Sequence, residues 1–440
     1  MSLDLPAARA IRTATSARFS VVQRRGSAWK LGLGFFVGLC LEFNILVGGG
    51  GEGASATGGY GYRLIDFVAL GAACLLAIHA LAPRRILPLA VYGLVAAVMF
   101  ATPALSTDPR TAILAYHYML YSLAALYVAI VIDDVAALEW FCWGLIVGLL
   151  AILPIFFIQD SVYASKLVEW GLAPGYASAM GGIGWEAFRY SGLSGHPNEA
   201  GHVAALSAAA GAYFGLVRRR FMPVIVVFLG LMVVFYYTWS RGGLIAGGAI
   251  LAIPFLVARG RVSISRLALT CVVLLVVVAV MSQLDFVAFR FTGDPNANNN
   301  VSDRMDSILA GLQVLLANPL GLPIDDFLSR VASDSGGVGS PHDGFIFFAG
   351  IFGLAPLALL LLAFASCLRI RDKIDVFFAL FVAQISLSFM FEILPGSYPY
   401  AFVLCLVGAR AFIRTPIGCE LKIGAVHSSR RSALNFRPRN

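Results

Sequence analysis

The sequence predicts an all-α polytopic membrane protein with about twelve transmembrane helices, and three observations carry that prediction. Of its 440 residues, 59% are hydrophobic and only 13% charged, with a mean hydropathy of +0.83. A soluble chain carries about 25% charged residues, so this one lacks the polar side chains to cover a water-facing surface of its size. That excludes a cytosolic enzyme, a secreted disulfide scaffold and a disordered protein. The apolar runs are roughly twenty residues long, the length of a membrane-crossing helix rather than of the alternating strands of a barrel. Finally, Lys and Arg are distributed unequally between alternate connections.

The apolar segments fall at 31–48, 64–82, 87–104, 112–132, 136–158, 198–217, 221–239, 242–258, 264–284, 343–366, 374–393 and 398–413. The first is long and is followed by no small-x-small cleavage site, which argues against a signal peptide. Two basic tails, 1–27 and 415–440, flank a transmembrane domain over 28–414. With the N-terminus placed in the cytoplasm, 24 of the 32 Lys and Arg fall on the cytoplasmic side. The outward side holds Arg63, Arg110, Lys166, Arg189, Arg241, Arg290, Arg304 and Arg330. This positive-inside bias places both termini in the cytoplasm. The net charge of +8 therefore sets topology and touches anionic membrane lipid; it does not point to nucleic acid.

Two outward loops are long, about 159–197 and 285–342, while every inward connection is short. Irregular polar backbone is tolerated outside the hydrocarbon, so chemistry is expected on the outward face. The seven cysteines form no CxxC or CxxH and suggest neither a metal site nor a disulfide framework.

Three outward clusters carry reactive or charged side chains. The first runs Arg189-Tyr190-Ser191-Gly192-Leu193-Ser194-Gly195-His196-Pro197-Asn198-Glu199-Ala200-Gly201-His202. Helix initiation accounts for Pro197 in a first turn and Asn198 as a cap. It does not account for Arg189, His196, Glu199 and His202 at a membrane entrance, where ionisable groups are expensive. Glu199 and His202 also share a helical face. The second cluster, Thr238-Trp239-Ser240-Arg241-Gly242-Gly243, is a tight turn whose arginine either snorkels to the interface or contacts an anion. The third holds Arg304, the Asn318-Pro319-Leu320-Gly321 stretch, Pro341-His342-Asp343-Gly344, Gly350 and Gly353. Asp343 suits a helix N-terminus, and Asp325 with Asp326 reads as a solvated face. Arginine binds phosphate oxygens bidentately. The sequence contains no DxD to cradle a divalent ion, so a diphosphate handled here would be neutralised by arginines. On the outer face of a bacterial membrane the available glycosyl donor is a lipid-linked diphosphate sugar.

At these clusters, over about 185–355, the chain resembles the O-antigen ligase and polymerase superfamily of bacterial inner-membrane glycosyltransferases. The matching pieces are Arg189 with Gly192 and His196-Pro197-Asn198; Ser240-Arg241-Gly242; Arg304 with Pro319 and Gly321; and His342-Asp343 with Gly350 and Gly353. Asp343 stands where the family usually has Asn, and Pro323 where a second Gly is common. The resemblance implies an inverting, metal-independent transfer with no cofactor. A saccharide on undecaprenyl diphosphate passes to an acceptor hydroxyl on the periplasmic side, the acceptor being a lipid-linked saccharide or lipid A-core. It implies Arg189, Arg241 and Arg304 as diphosphate ligands, with Arg189 and Arg241 also acting in catalysis, and His342 as the group that orients or deprotonates the acceptor. His196, Asn198, Glu199, His202 and Asp343 are secondary. A polysaccharide chain-length regulator or a flippase is an implied partner.

Three functions stay open. A repeat-unit polymerase for O-antigen or exopolysaccharide is favoured over a ligase acting on lipid A-core. The third, a twelve-span secondary transporter, calls for organised ionisable groups at mid-membrane. Glu42, His79, His117, Glu139 and Glu392 lie within or beside the apolar segments but are scattered in sequence.

Overall fold

The computed structural model describes residues 28–45, 63–79, 83–159, 177–180, 187–194, 196–258, 261–262, 297–336, 341–392 and 394–421. Over these residues the chain is helical apart from two short hairpins. The first helices are α1 (Ala28–Glu42), α2 (Leu64–His79), α3 (Pro83–Ala104), α4 (Pro109–Ile132) and α5 (Val135–Gln159). An antiparallel pair, β1 (Ala177–Met180) and β2 (Ala187–Tyr190), precedes α6 (Pro197–Ala204), α7 (Ser207–Val217), α8 (Met222–Thr238) and α9 (Arg241–Leu256). After the pair β3 (Val257–Ala258) and β4 (Arg261–Val262) come α10 (Ala297–Ala317), α11 (Ile324–Asp334), α12 (Gly344–Phe352), α13 (Leu354–Cys367), α14 (Lys373–Phe389) and α15 (Tyr398–Ile413).

Eleven of the twelve apolar segments coincide with these helices; the ninth, 264–284, lies outside the described residues, as do the tail 1–27 and residues beyond 421. Four helices are long and apolar enough to cross a membrane: Arg85–Ala104, Pro109–Ile132, Val135–Gln159 and Pro197–Val217, the last comprising α6 and α7. A helix apolar on all sides must be buried among helices or in lipid. α4 is the buried kind, with Tyr118, Tyr121 and an unbroken run from Ala124 to Ile132 inside the bundle.

Three segments differ from the uniform spans or irregular loops that hydropathy suggests. The tenth apolar segment is two helices meeting at Gly353, whose φ of +94° ends α12. The sixth tightens at Ala205 and Leu206, where Leu206 N–H donates to Val203 at 2.9 Å and Ala208 N–H to Ala205 at 3.0 Å. The 285–342 connection is largely helical from Ala297 onward, as α10 and α11. Ala310, Val314 and Leu315 of α10 face the core, while Leu309, Leu312 and Leu316 remain exposed.

α1 and α5 approach most closely, and glycines allow it. A Cβ on Gly38 would sit 2.2 Å from Phe141 O, and one on Gly144 would sit 2.1 Å from Phe35 O. Gly34 lies against the Ala137 carbonyl, Gly38 against Phe141 and Gly144, and Gly148 against Leu39 and Glu42, a run of small residues that lets membrane helices touch backbone to backbone.

The bundle has two chemically distinct ends. At the basic end Arg410 pairs with Asp133 and with Asp375 (2.9 Å), Arg414 pairs with Asp375 (2.8 Å), and Arg218 pairs with Glu139. Leu421 is buried there and its carbonyl meets His79 Nε2 at 3.4 Å, so residues 415–421 pack on the bundle although composition assigns them to the tail. At the opposite end Arg110 pairs with Asp325 at 3.1 Å, Tyr118 donates to Pro395 O at 2.9 Å, and Gln159 brackets Gly192 with two 2.9 Å bonds.

Candidate functional site

The three sequence clusters converge at the end opposite the arginine-stitched one. α6 begins with Pro197 in its first turn, and its cap is His196, whose Nδ1 accepts from Asn198 N–H at 3.1 Å. Sequence reasoning gives the cap to Asn198; the structure moves it one position ahead of the proline, where the imidazole reaches the same N–H. The Asn198 side chain instead reaches across to the chain just beyond α14. Its Nδ2 donates to Glu392 Oε2 at 2.8 Å.

The turn between α8 and α9 packs on this first turn. Trp239 sits at φ +55°, Ser240 caps α9, and Ser240 Oγ donates to Asn198 O at 3.3 Å. A Cβ on Gly242 would lie 2.8 Å from both His202 Nε2 and Phe391 Cβ. Only glycine admits that approach, which seats the start of α9 against His202 and Phe391; Arg241, the first residue of α9, is half-buried. His202 itself is fully buried, and its Nδ1 has no hydrogen-bond partner among the described residues.

α10 and the turn into α12 supply the remainder. Arg304 Nη1 donates to Phe391 O at 3.4 Å, which holds the guanidinium beside Glu392. Asp343 caps α12 by accepting from Ile346 N–H at 2.9 Å, as its position near a helix start suggests. His342 is the most unusual residue of the set. Its φ is +44°, a conformation costly for a residue with a Cβ and concentrated at functional sites. Its buried Nδ1 lacks a hydrogen-bond partner among the described residues. Burial pushes the imidazole below its usual value of 6.5; the positive charge of Arg304 and the neighbouring His196 push the same way, and Glu392 opposes them. His342 is therefore neutral at pH 7 and able to accept a proton.

Two of the glycine-bearing pieces meet directly. Leu322 N–H donates to Gly350 O at 2.7 Å, and Leu354 N–H donates to Pro319 O at 2.9 Å. Gly321, at φ +88°, lies against the Ile351 carbonyl. These contacts lock the Pro319–Gly321 turn after α10 to the α12–α13 break. They fix the α10 that carries Arg304 against the α12 that His342 precedes.

Arg189 has a defined main chain, paired with Ser178 in the β1–β2 hairpin, while its side chain lies outside the described residues. Glu199 is half-buried in the first turn of α6. His196, Asn198, Arg241, His202, Arg304, His342 and Asp343 share this end of the bundle.

Two further residues belong to this end of the bundle that the sequence does not assign to the site, Glu392 being read there only as a scattered ionisable group and Arg63 only as an outward charge. Glu392 bonds Asn198, and its charge acts on both His202 and His342. Arg63 donates to Leu193 O at 3.1 Å and stacks over Tyr398 at 5.1 Å, pinning the turn that leads into His196. The only available signal was that both are charged residues beside apolar segments.

No protein-family model matches the chain, and no curated protein does so either.

Proposed function

We propose that this chain is a periplasmic-face glycosyltransferase of the bacterial inner membrane. It has about twelve spans and cytoplasmic termini, and it joins lipid-linked saccharide units in surface-polysaccharide assembly. The observation that carries the reading is the backbone-strained His342, with its buried, unpartnered Nδ1 in the electrostatic field of both Arg304 and Glu392, at the less basic end of the bundle. A proton acceptor beside an arginine is the pair that transfer from a diphosphate needs.

In this reading Arg189, Arg241 and Arg304 neutralise the undecaprenyl diphosphate and the charge that grows as it leaves. The acceptor oxygen forms a bond to the anomeric carbon while the bond from that carbon to the diphosphate oxygen breaks, with inversion. The hydroxyl proton passes to His342, and undecaprenyl diphosphate departs with the electron pair. Asn198 and Glu392 hold each other and set the field around His342. His196 and Asp343 keep the two helix starts in place.

The test is a deletion strain complemented with wild type, Arg304→Ala or His342→Ala at matched protein levels, with surface polysaccharide and lipid-linked intermediates profiled together. Accumulation of single lipid-linked repeat units supports the polymerase. Accumulation of long lipid-linked chains with loss of surface attachment supports a ligase acting on lipid A-core.

One observation favours a transporter instead. Glu42 is buried at 2% exposure and forms no ion pair among the described residues, with the Ser207 main chain the hydrogen-bonding group that acts on its carboxylate. A buried carboxyl without a cationic partner inside a helical bundle is a feature of ion-coupled transport. Proton-coupled uptake into vesicles that is abolished by Glu42→Gln and unaffected by Arg304→Ala would establish that alternative.

A further inference from the structure

An apolar groove opens on the side of the bundle between α3 and α13, with α4 and α15 forming its floor. Tyr92, Met99, Leu360, Ala363, Leu404 and Phe412 are among its lining residues, and its volume is about 320 Å³. At the basic end the groove meets a second cavity of about 140 Å³ bordered by Arg369, Arg371 and Arg414. Ser366, Ala411 and Thr415 line both, so the two adjoin in one depression of the surface.

The polar end is built rather than incidental. Arg414 donates to Ser366 O at 2.8 Å and to Arg369 O at 2.9 Å, and its pairing with Asp375 fixes its place. Of the nearby acids, Asp133 pairs with Arg410 and Asp375 with both Arg410 and Arg414, while Asp372 caps α14 by accepting from Asp375 N–H at 2.9 Å. Arg369 and Arg371 are exposed, and among the described residues neither guanidinium is paired with a carboxylate. The mouth of the depression, with Arg369, Arg371 and Arg414 against the lone exposed Asp372 beside them, therefore carries a net positive charge, and its body is hydrocarbon-like.

We propose that this depression is a binding site for an anionic diacyl phospholipid of the phosphatidylglycerol class. The phosphate sits at Arg369 and Arg371, which can bind its oxygens bidentately. An acyl chain lies along the groove between α3 and α13. Basic pockets between membrane helices recognise anionic headgroups in this way, and charge complementarity favours a net-anionic headgroup over a zwitterionic one, whose ammonium group the arginines repel. The site lies at the end opposite His342 and does not depend on the transferase reading.

Gly408 gives a clean probe. It lines the groove, and a Cβ added there meets nothing within 4 Å, so Gly408→Leu starts its side chain in open space and occupies the groove. The full chain, delipidated in detergent, would be titrated with phosphatidylglycerol, with phosphatidylcholine of the same chains, and with inorganic phosphate. Native mass spectrometry and thermal unfolding would report binding. The expected result is retention of and protection by phosphatidylglycerol alone. Its affinity should fall about thirtyfold in the Arg369→Gln/Arg371→Gln double variant, from two headgroup charges, and should also fall in Gly408→Leu. Equal binding of phosphatidylcholine, equal protection by inorganic phosphate, or unchanged binding in either folded variant would overturn the proposal.

Discussion

The side-chain amide of Asn198 donates to Glu392 Oε2 at 2.8 Å, joining residues 194 positions apart. The bond ties the start of α6 to the chain just beyond α14, and it brings a carboxylate into the field of His342. The site therefore has a built-in electrostatic balance: Glu392 favours the imidazolium, while Arg304 and His196 disfavour it.

That balance predicts opposite pH shifts. If neutral His342 takes the acceptor proton, activity declines as pH falls through its pKa, which lies below 6.5. Removing the negative charge in Glu392→Gln lowers that pKa further, so the acid limb of the pH–activity profile should move to lower pH. Removing the positive charge in Arg304→Gln should move the limb upward, together with a large loss of rate. Stability follows the same sign. The unfolded chain takes up the proton first, so His342 favours the folded state above about 6.5, and that contribution is lost as pH falls through the folded value. Matched movement of both limbs in one direction would contradict the balance.

The α1–α5 contact predicts a sharp size limit. Gly144→Ala places a methyl group where Phe35 O now stands 2.1 Å away. Overpacking of this kind typically destabilises by about 1–3 kcal/mol, read as a lower Tm in detergent. Gly93→Ala, where an added Cβ meets nothing within 4 Å, should leave Tm unchanged.

Arg410 is 2% exposed and sits between Asp133 and Asp375, the latter 1% exposed. Arg410→Ala leaves buried carboxylate charge without its main partner, a change that costs about 3–5 kcal/mol in comparable buried pairs. Loss of folded yield, with partial rescue by Asp375→Asn in the same chain, is the expected outcome.

Cys419 is exposed at the basic end, in the turn that packs on α15. With cytoplasmic termini, a membrane-impermeant thiol reagent should label it only after the inner membrane is opened. Labelling in intact spheroplasts, lost in Cys419→Ser, would reverse the topology.

Much of the helical layout was legible because membrane helices announce themselves through local composition. The apolar segments 112–132 and 136–158 match α4 and α5 to within a few residues, and Asp343 caps α12 as its place beside a helix start suggests. What escaped notice depends on contacts distant in sequence or on backbone shape. Glu392 reads as a stray carboxylate until Asn198 is brought to it. The break at Gly353 needs the Pro319 carbonyl that its neighbour Leu354 meets, and hydropathy is indifferent to it. α10 is hidden inside a polar connection because its first half, 297–306, is rich in Asn and Asp and carries Arg304, and its apolar run begins only near Ile308. The histidine cap was missed because His ranks low among capping residues, and the first-turn proline drew attention to Asn198 instead.

The most direct test is transfer by the purified chain in proteoliposomes, supplied with the undecaprenyl-diphosphate-linked saccharides extracted from a deletion strain. The account predicts longer lipid-linked saccharides and released undecaprenyl diphosphate with wild type. It predicts neither product with His342→Ala or Arg304→Ala proteins that are folded and lipid-bound. A folded wild type that transfers nothing, or a His342→Ala protein that transfers at the wild-type rate, would contradict it.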